Sequence, residues 1–108
     1  MDDPIANLEV ICVRSSGERF PVLIEIGRPY MVRDGKGSDC ARCPVAMRGL
    51  HDKLSDIAGE DTFQALTLAL KFTRLMLEQF REKGGRVLFS EDGETDFDFN
   101  VYFPNQKT

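Results

Sequence analysis

The sequence predicts an α+β domain of two layers, a mainly antiparallel sheet of four to six strands packed against one long helix at about residues 62–83. Three observations carry this. Two β-branched runs near the amino terminus are separated by a short polar turn, and a long apolar stretch with helical periodicity follows mid-chain. A further pair of extended-looking runs then lies beyond a Gly-Gly stop.

The first run, residues 7–14 (NLEVICVR), is followed by SSGER and then by a second apolar run, which reads as a hairpin. In the second run Phe20, Val22, Ile24 and Ile26 alternate with Pro21, Leu23 and Glu25, giving one fully apolar face. Pro21 points to the start of an edge strand. Residues 27–37 (GRPYMVRDGKG) read as a loop or short strand closed by a Gly-Lys-Gly turn. Residues 41–48 are expected to be strand, with Pro44 at an edge or bulge because it removes a ladder donor.

Asp61 and Gln64 form a candidate capping box at the start of the helix, and Gly84-Gly85 supplies the stop. Spacing residues by 100° puts Gln64, Thr67, Lys71, Arg74, Glu78 and Arg81 in one polar arc of about 100°. The apolar residues fill an arc of about 220°, much wider than the stripe of an ordinary surface helix. On one flank of it Leu68, Phe72 and Leu75 cluster as a candidate interface for a second copy or another chain. Residues 86–89 then read as a strand and SEDGETD as a turn. Phe97, Phe99, Val101 and Phe103 alternate with polar or amphipathic residues, as in a strand, and Pro104 with NQKT forms a frayed tail.

A chain of 108 residues with 42% hydrophobic and 30% charged residues fits a single domain, 1–108. No apolar run is long enough to span a bilayer, and the acidic MDDPIANLE is unlike a signal peptide. Three cysteines, an odd number, suit a reducing compartment, so a cytoplasmic location without structural disulfides is expected. A net charge of −4 argues against nucleic acid and anionic membrane as partners. The charge is uneven, because residues 27–53 hold six basic and three acidic side chains while the segments on both sides are acidic.

Cys40-x-x-Cys43, His51 and Cys12 together make a four-ligand zinc set on paper, but the second ligand pair of a structural zinc site is missing. Redox chemistry is disfavoured because the CxxC opens no helix. Plain thiols are the expected reading, with neither cofactor nor metal. His51 has no sequence neighbour that makes an acid-base pair beyond Asp52, and Gly35-Lys36-Gly37 is a turn rather than a phosphate cradle. Glu91, Asp92, Glu94, Asp96 and Asp98 lack the order of a calcium loop and read as a solvated tip able to steer a basic partner.

Four short patterns resemble those of a small bacterial family of uncharacterised proteins. They are Ile26-Gly27-Arg28-Pro29, Cys43-Pro44, Gly49-Leu50, and the run from Gly59 through Asp61, Gln64, Ala65, Leu66 and Leu68 to Ala69-Leu70. That family's pattern has one cysteine before the proline, so Cys40 is an addition. The resemblance implies a bacterial cytoplasmic domain and carries over no catalytic residue.

No constellation reaches the strength of a catalytic signature, so the expected role is a non-enzymatic interaction module, of immunity or adaptor type. It would self-associate or bind a bacterial protein. The rival is a ligand-binding or enzymatic domain with a site in residues 27–53, using Arg28, Arg42, Arg48, Cys43 and His51; a CxxC metal module is third.

Overall fold

The computed structural model describes all residues except 2, 34, 38 and 104–108. The expected frayed tail lies outside the described residues. Strands β1 (Ala6–Val13) and β2 (Arg19–Ile26) form the expected hairpin, in register from Ala6 opposite Ile26 to Val13 opposite Arg19. The turn closes where Arg14 N–H donates to the Glu18 carbonyl at 2.8 Å.

Next come β3 (Tyr30–Val32), β4 (Cys40–Cys43), β5 (Val45–Arg48), β6 (Ile57–Gly59), helix α1 (Thr62–Glu82), β7 (Arg86–Phe89) and the one-turn helix α2 (Phe99–Tyr102). The strands make two antiparallel sheets, a larger one in the order β5-β2-β1-β7 and a smaller one in the order β3-β4-β6. The expected α+β fold is thus present, a multi-strand antiparallel sheet packed against one long helix, with the strands divided between two sheets. Pro44 is the reason, since it stands between β4 and β5 and lets one run of chain leave the smaller sheet and join the larger.

Pro21 corrects one expectation. It lies in β2, a central strand, but β5 pairs only with residues 23–26, so the missing N–H falls beyond the end of the ladder. A β-carbon on Gly49 would come within 2.5 Å of the Pro21 carbonyl oxygen, so the turn after β5 fills that place.

Helix α1 begins with the predicted cap. The Asp61 carboxylate accepts from Gln64 N–H at 2.7 Å, and the Gln64 side chain reaches back to Glu60 N–H at 2.7 Å. A β-carbon on Gly59 would lie 2.5 Å from Ala65 N, so glycine there lets β6 press against the first turn of the helix. Ala65, Ala69, Thr73 and Leu77 are the buried face. Ala65, Ala69 and Leu77 share one core with Val10, Cys12, Val22, Ile24, Met47 and Val87 of the larger sheet and Ala41 and Cys43 of the smaller. Coverage from two sheets explains an apolar arc wider than one sheet would need. Among the described residues no helix is long and apolar enough to cross a membrane.

The carboxy-terminal alternation does not become a strand. Asp96 makes one bridge with Leu88, and the Asp98 carboxylate then accepts from Asn100 N–H at 3.0 Å, capping α2. Phe97, Phe99 and Phe103 are buried in an aromatic cluster, with Phe97 4.7 Å from Tyr102 and 5.4 Å from Phe99 between ring centroids. A helical turn puts Phe99 and Phe103 on one side just as alternation would. The aromatic packing and the Asp98 cap decide between the two.

Candidate interaction surfaces

Folding scatters the cysteines and the histidine. Cys40 and Cys43 are three apart on β4, so their side chains leave opposite faces of the strand. Cys43 is buried and its Sγ donates to the Gly27 carbonyl at 3.6 Å, while Cys40 is partly exposed on the outer face. Cys12 is buried on β1 of the other sheet. Among the described residues no three His, Cys, Asp or Glu side chains gather as a metal cage. Burial raises the pKa of Cys43 and pushes that of Cys12 up to about 11, so both are held as thiols.

The arginines diverge too. Arg48 donates through Nε to Glu25 at 2.6 Å on the outer face of the larger sheet. Arg42 lies beside Tyr30, whose hydroxyl donates to Asp56 at 2.6 Å; that bond is the main cause of a raised tyrosine pKa. Arg28 and His51 line separate clefts. The five residues expected around one pocket in the 27–53 segment are thus spread over both sheets.

On the helix flank, Phe72 turns inward against the core, Leu68 is partly buried, and Leu75 is 50% exposed. With Phe72 packed on the core and Leu68 partly covered, the expected patch is reduced to its outer rim at Leu75.

Three of the five clustered carboxylates serve their own chain. Asp92 accepts from Glu94 N–H at 2.9 Å, Thr95 N–H at 3.0 Å and the Thr95 hydroxyl, which lowers its pKa to about 2. Asp96 pairs with Arg86 at 3.0 Å, and Asp98 caps α2. Arg19 donates to the Gly93 carbonyl and ties the turn to the sheet. The solvated tip is therefore a loop ordered by its own hydrogen bonds and an ion pair.

The most exposed apolar surface is on the other flank of α1. Phe63 is 80% exposed, Val101 72% and Tyr102 50%. Phe63 and Leu66 share an open cleft of about 340 Å³ with Arg28 and Pro29. One helical turn further, Leu70 lines a cleft of about 140 Å³ together with Leu8, Ile26, Tyr102 and Phe103. Arg74 fixes this edge by donating to the Asn100 side chain at 2.9 Å, and Arg81 stacks over Phe99 at 4.4 Å. The sequence signal for this surface is Phe63 itself, which falls at the same angle as Arg81 inside the polar arc, where no core demands an aromatic ring.

The model of one family, Domain of unknown function (DUF6968), matches residues 10–101. No curated protein and no solved structure matches the chain.

Proposed function

The chain belongs to the DUF6968 family, and we propose that it acts as a non-enzymatic protein-interaction module of adaptor or immunity type. The observation that carries the reading is a pair of apolar clefts one helical turn apart on α1, the first holding exposed Phe63 with Leu66 and bordered by Arg28, the second holding Leu70 and half-exposed Tyr102. A monomeric domain keeps such surface small unless something binds it. The fitting partner is a protein segment with apolar anchors and a carboxylate for Arg28, which stands in the basic part of an otherwise acidic chain. Other observations support a binding role over a catalytic one. Gly27, Pro44, Gly49 and Gly59, from the four patterns singled out in the sequence, are in close packing contacts, and the thiols of Cys12 and Cys43 are buried. Two core thiols also suit a reducing cytoplasm.

A photo-crosslinking residue in place of Phe63 or Tyr102, introduced in the native cells, should give one discrete protein adduct. The same residue at Lys71, on the polar arc, should give none, and Arg28→Glu should reduce the adduct. Sedimentation of the purified protein separates a second copy from another protein as the occupant. A monomer without an adduct from either apolar position would overturn the reading.

A further inference from the structure

We propose that a second cleft, at the opposite end of α1, binds a small organic anion with an aromatic or aliphatic body. It encloses about 300 Å³ between the β1–β2 turn, the turn after β5 and the last turn of the helix. That is the lower end of the range for small-molecule sites, roughly 300–1,000 Å³. Leu50, Met76 and Phe80 form its apolar floor, and Arg14, His51 and Lys83 bring nitrogen donors to its rim from three separate elements. Among the described residues no carboxylate lines it, although the chain carries a net charge of −4.

Arg14 is held in place before any ligand arrives. Its Nε donates to Glu18 at 2.6 Å, and its guanidinium carbon sits 4.4 Å from the centroid of Phe20. Phe20 in turn meets Phe80 of the cleft floor edge-on at 5.9 Å. An arginine fixed by an ion pair and a ring loses little side-chain freedom on binding, and its terminal amino groups suit the paired oxygens of a carboxylate or phosphate. Glu18 offsets part of that charge; Lys83 adds a full one, and His51 offers a ring N–H in either protonation state.

Basic residues also collect at helix carboxy termini simply to complement the dipole. Here the backbone already serves the last carbonyls: those of Gln79, Arg81 and Phe80 accept from Lys83, Gly84 and Gly85 N–H at 3.2, 3.1 and 3.2 Å. The side chains of Lys83 and His51 are not needed for that purpose. The floor of Leu50, Met76 and Phe80 has no role in dipole complementation and specifies an apolar body on the anion.

This site begins about 20 Å along the helix from Phe63 and stands independently of the interaction reading. His51 is the sole histidine, so its ring protons give a unique nuclear magnetic resonance signal. Phenyl phosphate should shift that signal saturably. Inorganic phosphate and benzyl alcohol should each bind about tenfold more weakly or worse, and Arg14→Gln and Lys83→Gln should each cost about tenfold in affinity. Phe63→Glu should leave the titration unchanged. No saturation up to about 10 mM phenyl phosphate, a regime weaker than about −3 kcal/mol, would overturn the proposal. Equal binding of inorganic phosphate, or full binding by the lysine variant with an intact amide spectrum, would overturn it as well. Lys83 is exposed, so that variant tests the site even where Arg14→Gln disturbs the hairpin.

Discussion

Gly27 and Pro44 touch at the corner where the two sheets meet: Gly27 N–H donates to the Pro44 carbonyl at 2.9 Å, and a β-carbon on Gly27 would lie 2.8 Å from Cβ of Pro44. The Cys43 thiol adds a contact by donating to the Gly27 carbonyl. Gly27→Ala should therefore destabilise by about 1–3 kcal/mol, the cost of overpacking a rigid site. The Cβ would meet a proline ring that has no rotamer to yield. Urea midpoints read this directly, and an unchanged midpoint would mean that the corner flexes.

Leu77 and Leu75 are two residues apart on α1 and should behave oppositely. Leu77 is fully buried, so Leu77→Ala should cost about 2–5 kcal/mol. Leu75 is half exposed, and Leu75→Ala should stay within about 0.5 kcal/mol. Comparable losses at both positions would show that something covers the outer rim of the helix in solution.

The thiols should react in an order set by burial. At pH 8 iodoacetamide should modify Cys40 in the folded protein, whereas Cys12 and Cys43 should react only on unfolding. Burial holds the folded pKa of Cys12 at about 11 against an ordinary 9.0, so its thiol contributes stability that is complete below pH 9. That stability is lost as pH rises towards about 11, because only the unfolded chain releases the proton. Cys12→Ala should flatten this part of the alkaline stability curve.

Acid should act on the turn after β7. Asp92 titrates near 2 in the folded chain and near 3.8 without its partners, so its support is present above about pH 4 and fades as pH falls through 2. The amide resonances of Glu94 and Thr95 should move through that window together. Asp92→Asn should remove the transition and leave the core spectrum unchanged, because the turn is exposed.

Local rules sufficed for much of the fold. β-Branched alternation with a polar turn gave the β1–β2 hairpin within a residue or so, and Asp61, Gln64 and Gly84-Gly85 marked the ends of α1 through capping chemistry that needs no distant partner. The wide apolar arc on that helix was also correct as a demand for cover. Its supplier was not legible, because which strands pair depends on contacts across the whole chain, and Pro44 reads as an edge or a bulge until Gly27 is seen against it.

The carboxy-terminal phenylalanines illustrate the same division. Their alternation determined that they would be buried together, and the sequence alone could settle no more than that. Whether the backbone paired as a strand or coiled as α2 was decided by Phe89, Phe97 and Tyr102 packing and by the Asp98 cap. The candidate surfaces follow this rule more strongly. Composition located the excess of basic charge in residues 27–53, but only the tertiary structure sent Arg28, Arg42, Arg48 and His51 to different places and joined His51 to Arg14 and Lys83. Side chains from separate elements meet where the sheets and the helix put them, and no spacing along the chain encodes that meeting.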